Sequence, residues 1–298
     1  MRTDGLTIDH PTQEVTKERP VIRHPLIRLL LFVLLFLACN AVALIPAMPF
    51  LEKLSETGEA SVSVGTAIIA ALVAYFVLVR YIEKRQPTEL TEKILSGTLV
   101  GLLAGLALIS AVVGIVWLLN GIEFTGTQTP TGWAMVLIVT GFQAGIIEEI
   151  ITRGVLFRLI EELLGSWGST ALSAFIFGAL HLGNDNATFA SAMSIAVSAG
   201  LLFAALYMLT RNLWVCIGTH FAWNVAQALL FDIAVSGNDH SGFFASHPVG
   251  NDLISGGAFG VEASIVTPIV VGLVAVALFV RAAQIGNVVA PKWMRAKA

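Results

Sequence analysis

Eight apolar stretches of membrane-spanning length constrain this chain more than any other feature: 27–50, 61–79, 94–119, 133–152, 168–182, 189–210, 213–234 and 261–280. Roughly 20 apolar residues cross a hydrocarbon core of about 30 Å, and backbone groups in lipid must satisfy one another, which helices do internally. The predicted fold is therefore all-α, a polytopic membrane bundle of about eight transmembrane helices with its polar groups in the interior. Only 12% of residues are charged and the mean hydropathy is +0.82, against about 25% charge in soluble domains, so a soluble domain is excluded.

The stretch 168–182 is short, about 22 Å of helix, and the placement of charge decides for it. Sixteen of the 17 Lys and Arg fall at one end of the predicted bundle, with Lys53 alone at the other. The positive-inside rule then puts both termini in the cytoplasm and requires an even number of spans. The resulting division is a flexible cytoplasmic tail at 1–26, a transmembrane domain at 27–282 and a cytoplasmic tail at 283–298. The loop 235–258 is rich in Gly, Ser, Asn and Asp, and its His240 and His247 read as solvated loop residues. Net charge is −3, so no basic surface invites nucleic acid.

Cys39 and Cys216 lie far apart in apolar runs, without the spacing of a zinc module or redox pair. Phe36-Leu37-Ala38-Cys39 has some likeness to a lipoprotein cleavage site, but it follows a long polar start and has Phe where Leu is usual. A retained first helix is the reading.

Ionisable side chains at membrane depth cost at least ~2.5–3.5 kcal/mol each on insertion scales, and they usually mark function. Three clusters stand out: Glu148-Glu149 with Arg153, His181, and His220 with Asn224. Glu149 and Arg153 are spaced i, i+4 and can pair, whereas Glu148 projects about 100° away and has no local partner. If the fourth and fifth spans form a hairpin turning near Gly165, then Glu148 and His181 stand level, each about 24 Å from the turn. Arg158, Glu161 and Glu162 just before that turn fit a hairpin protruding into the cytoplasm. His220 and Asn224, again i, i+4, present two polar heads in one direction. Structural readings compete: a salt-bridged helix end for the first cluster, and an interhelical hydrogen-bonding pair for the third.

A carboxylate opposite a neutral imidazole can hold and deprotonate a water, and a second His with an Asn amide can supply donors for the oxyanion formed when that water attacks a carbonyl. This points to peptide hydrolysis without a covalent intermediate. No G-x-S-x-G, paired-Asp or H-E-x-x-H motif is present. Entry is expected laterally between helices or from the cytoplasm, to a site about 10 Å below that face.

The run Glu148-Glu149-Ile150-Ile151-Thr152-Arg153 resembles the E-E-x-x-x-R motif of the CPBP family of intramembrane glutamic endopeptidases, the CAAX proteases and bacteriocin-processing enzymes. Phe177-Gly178-Ala179-Leu180-His181 is similar to that family's F-x-x-x-H, and His220-Phe221-Ala222-Trp223-Asn224 to its H-x-x-x-N. The resemblance covers about 131–234. It implies that Glu148 and His181 activate water, that His220 and Asn224 form the oxyanion site, and that Glu149 and Arg153 orient them. It further implies a protein or peptide substrate, prenylated in the C-a-a-X branch, a lipid environment in a bacterial plasma membrane, and no cofactor. Two alternatives stay open: a zinc protease with Glu148, His181 and His220 as ligands, and a non-enzymatic immunity or transport protein.

Overall fold

The computed structural model describes residues 24–295; the predicted N-terminal tail, up to residue 23, lies outside them. Seven helical rods among these residues are long and apolar enough to cross a membrane. They are α1 (Pro25–Leu51), α2 (Glu56–Ile82), α3 (Ile94–Leu118), a fourth rod at Trp133–Gly183, α6 (Phe189–Thr210), α7 (Leu213–Leu230) and α8 (Val266–Gln284).

The fourth rod contains two spans, α4 (133–164) and α5 (166–183). At Gly165 the backbone leaves the helix with φ 71° and ψ 177°, and the Ser169 hydroxyl donates to the Phe157 carbonyl 2.5 Å away. Twelve residues of straight helix would hold those groups about 18 Å apart, so the chain reverses here, as the sequence predicts. Only glycine fits at the turn: φ is positive, and a Cβ would lie 2.6 Å from the Val289 carbonyl oxygen. Much of α4 is wound with i→i+5 hydrogen bonds, over Val136–Glu148 and Ile150–Phe157, a winding frequent at functional sites.

The bundle closes around α6 and α7, whose apolar windows are each 72% buried, against 6% for α1. Small residues let α3 meet α7: a Cβ on Gly101 would stand 2.4 Å from the Val215 carbonyl oxygen, and one on Gly105 2.3 Å from that of Thr219. Lipid gives helices no hydrophobic reason to associate, so contact of this closeness supplies the attraction. Asn212 caps α7 by accepting from Trp214 N and Val215 N, and its amide also holds the Glu92 carbonyl. Large apolar side chains outside the bundle, among them Leu103, Leu273 and Val280, form the lipid-facing surface a membrane span requires.

One end is tied by ion pairs. Glu83 receives Arg28 at 3.2 Å and Arg158 at 2.7 Å, Arg28 also pairs with Glu162, and Arg211 pairs with Glu161 at 2.7 Å. Arg158 and Glu161 just before the hairpin turn are fully buried, since charged groups taken out of water are stable when paired. In the predicted C-terminal tail, Val289 N and O clasp Ser166 at the hairpin turn. At the other end, β1 (Ile122–Thr127), which precedes α4, pairs antiparallel with β2 (Phe244–Pro248) of the loop 235–258. Cys39 lies inside the first helix.

Candidate active site

A cavity of about 850 Å³ runs down the bundle, lined by Glu148 of α4, Phe177 and His181 of α5, Phe203 of α6, and His220 and Asn224 of α7. The structure thus brings four of the six candidate residues to one wall of space, while Glu149 and Arg153 stand behind it.

The two adjacent glutamates have opposite surroundings. Glu149 is fully buried, and its Oε1 accepts from Arg153 Nη1 at 3.0 Å and from His220 Nδ1 at 2.9 Å. Arg153 is equally buried; it reaches Thr152 Oγ1 at 2.8 Å and lies over the Phe177 and Phe203 rings at 4.5 and 4.9 Å. It sits in the interior and is not one of the charges that orient the bundle. Glu148 is half-buried, borders the cavity, and its carboxylate has no partner among the described residues. One helical step of about 100° separates these environments.

Both histidines are fixed through Nδ1. In His181 it donates to the Phe177 carbonyl one turn earlier, at 2.8 Å, because a carbonyl can only accept. In His220 it faces Glu149. Each ring therefore has Nε2 free of partners among the described residues, a tautomer set by the atom behind it. Phe177 packs between the two rings, 4.8 Å from His181 and 6.2 Å from His220, and Phe203 stacks on His220 at 5.0 Å. Asn224 donates one amide hydrogen to the Thr140 carbonyl at 2.9 Å, which sets the orientation of the head group. Among the described residues, no three His, Cys, Asp or Glu side chains are grouped as metal ligands would be.

Residues 130–226 match the family described as type II CAAX prenyl endopeptidase, Rce1-like. That Rce1-like segment contains all six candidate residues. A second likeness is to the Bacillus subtilis (strain 168) protein named "Putative membrane peptidase YdiL", 29% identical over 96 residues, which are 32% of this chain and 37% of that protein. The chain therefore spans well under half the length of this curated relative. No solved structure matches.

Sequence reasoning missed three contributors. Phe203 carries no motif, since a phenylalanine in an apolar span is the commonest of signals. Glu262 sits at the edge of the last predicted span, yet it is 8% exposed, lines the cavity and accepts from Ser236 N and Oγ through Oε2. Burial raises its carboxyl above the ordinary carboxylate range, with the nearby His181 opposing. His240, read as solvated, instead lines the cavity, and its Nε2 is buried without a partner among the described residues. Desolvation lowers its pKa, with Asp239 and Asp232 opposing. The reason is tertiary: the loop folds back over the bundle, with Asn184 and Asn186 holding the Ser236 and Gly237 carbonyls.

Thr131, Asn184, Asn238 and Asp239 of the lining lie in connections at the end opposite the Gly165 turn.

Proposed function

We propose that this protein is a membrane peptidase of the CAAX-protease type, with the cavity as its active site. Glu148 acts as general base: it takes a proton from a water held between its carboxylate and His181 Nε2, and the water oxygen bonds to the scissile carbonyl carbon. Negative charge moves to the carbonyl oxygen, where the Asn224 amide stabilises it together with His220. As a neutral ring His220 accepts at Nε2; as an imidazolium with Glu149 as counter-charge it donates there. The C–N bond then breaks and the proton on Glu148 passes to the departing amine. Glu149 and Arg153 are positioning residues that hold the His220 ring.

The observation that carries this reading is the division of labour between neighbouring carboxylates, one consumed by Arg153 and His220, the other open to the cavity. Peptides, including farnesylated C-a-a-X peptides, are the candidate substrates. Purified protein in detergent should cleave a member of a fluorogenic peptide library, lose the activity in Glu148→Gln, and keep it in the presence of a strong chelator. Activity abolished by chelator would transfer the assignment to a zinc protease, and cleavage retained in Glu148→Gln would sink the reading.

A further inference from the structure

Glu262 lies outside the three sequence motifs, yet the fold sets it near His181 by two independent routes. Its Oε2 accepts from Ser236 N at 2.5 Å and from Ser236 Oγ at 2.9 Å. The Ser236 carbonyl in turn accepts from the Asn184 amide at 3.1 Å, in the connection that leaves His181. On the apolar side Phe259 packs with Phe177 and Ile195, and Phe177 lies 4.8 Å from the His181 ring. The Ser194 hydroxyl holds the Glu262 carbonyl at 2.5 Å, so backbone and head group are both fixed.

A residue that only fastened Ser236 would need one acceptor, which a glutamine supplies without the cost of burying a charge. Glu262 is more than nine-tenths buried and lines the cavity together with Glu148, His181 and His220. Ser236 occupies Oε2, while Oε1 has no hydrogen-bond donor among the described residues. The helix stretches packed on its turn, at the start of α6 and of α8 and in α3, bring no titratable side chain to it. Asp252 comes from the short helix Asp252–Ser255 beside it, and Asp239 and His240 from the loop that lines the cavity. Burial disfavours the Glu262 charge most, and His181, Ser236 and His220 oppose that in turn.

We propose that Glu262 is a positioning residue for hydrolysis, whose negative charge strengthens the hold of His181 and Glu148 on protons and so makes Glu148 a better base for the water between them. Glu262 itself neither gives nor takes a proton in the reaction. A base of greater proton affinity removes a water proton more readily, and a unit charge within the same low-dielectric cleft changes that affinity by roughly one pH unit. The gain carries a cost of known sign. Glu148 and His181 must both be free of the extra proton before the water is activated, so the charge on Glu262 raises the pH at which activity appears. The groups titrate as a coupled set. This inference deepens the peptidase reading and rests on it for the effect on cleavage, but not for the effect on the His181 ring.

Two measurements on the full-length protein in detergent test it. In the first, cleavage of a fluorogenic peptide is followed across pH in wild type, Glu262→Gln, Glu262→Asp and Ser236→Ala. In Glu262→Gln the acid limb should move down by about half a pH unit or more, and kcat on the plateau should fall about three- to tenfold. Glu262→Asp keeps the charge and should keep the limb. Ser236→Ala takes away a hydroxyl and leaves the charge, so it should lower the unfolding temperature with the limb unmoved. An even loss of activity across the pH range in Glu262→Gln is what a merely structural residue gives, and it overturns the proposal.

The second measurement needs no cleavage. Isotope-labelled histidine is followed by NMR, the His181 ring being assigned as the signal missing in His181→Gln, and its titration is compared between wild type and Glu262→Gln. The midpoint in Glu262→Gln should lie lower by about half a pH unit or more. Equal midpoints overturn the proposal even if cleavage is found. A shifted midpoint with no cleavage by the wild type would instead remove the peptidase reading and leave the coupling of Glu262 to His181 standing.

Discussion

Glu149 Oε1 and His220 Nδ1 lie 2.9 Å apart across the α4–α7 interface, and the same oxygen receives Arg153 at 3.0 Å. One carboxylate oxygen thus neutralises a buried guanidinium and fixes the ring orientation of a cavity-lining histidine. Its neighbour Glu148 makes neither contact, and the two should respond differently to the same substitution.

Glu149→Gln should destabilise the protein by about 3–5 kcal/mol, the cost of leaving a buried charge without its partner. Glu148→Gln, half-buried and unpaired, should stay within about 0.5 kcal/mol of wild type while lowering cleavage by about 10²–10⁴-fold, as loss of a general base does. Thermal unfolding in detergent beside a peptide assay separates the two, and equal destabilisation would contradict the geometry.

Arg153→Lys keeps the charge but should not keep the site. The guanidinium holds Glu149 and Thr152 while lying over Phe177 and Phe203, and an ammonium offers neither the fork nor the plane. A fall in kcat of tenfold or more is expected, together with a lowered unfolding temperature. A variant with wild-type kinetics would mean that His220 is held by other contacts.

Gly105→Ala should cost about 1–3 kcal/mol through overpacking. Its new Cβ would meet the Thr219 carbonyl oxygen at 2.3 Å, and backbone cannot move aside as a flexible side chain would. Because Thr219 precedes His220, the displacement should also reduce activity. A folded variant of undiminished activity and unchanged melting temperature would refute so close an α3–α7 contact.

Glu262 makes stability depend on pH. Its pKa is raised in the folded state by burial, so the fold favours the neutral carboxyl. That contribution is complete below the ordinary carboxylate pKa of about 4.3 and is lost as pH rises through the raised value. Glu262→Gln retains an acceptor for Ser236 without the charge. Its unfolding temperature should exceed that of wild type by about 2 °C or more at pH 7, with the difference closing near pH 4. A constant difference across that range would refute the shift.

Local features are legible in the chain's own order of residues. The i, i+4 pairing of Glu149 with Arg153 follows from helix periodicity alone, and so does the exclusion of Glu148 from it. The reversal near Gly165 is readable because the sorting of Lys and Arg requires an even number of spans, which the short stretch 168–182 completes. The roles of Phe203, Glu262 and His240 are not readable, since each depends on which distant segment packs beside it. The ion-pair partners of Arg158 and Glu161 are not readable for the same reason: nothing within four residues of Arg158 announces Glu83, and nothing that close to Glu161 announces Arg211.

By itself the sequence determined the class of fold, the spans, the sorting of charge between the two ends and the residues able to do chemistry, because hydrophobic period and span length are properties of contiguous chain. Only the tertiary structure decided which carboxylate is paired and which nitrogen of each histidine is free. Those depend on groups brought together from different helices and loops, and in a low-dielectric interior the partner a charge finds decides what it can do.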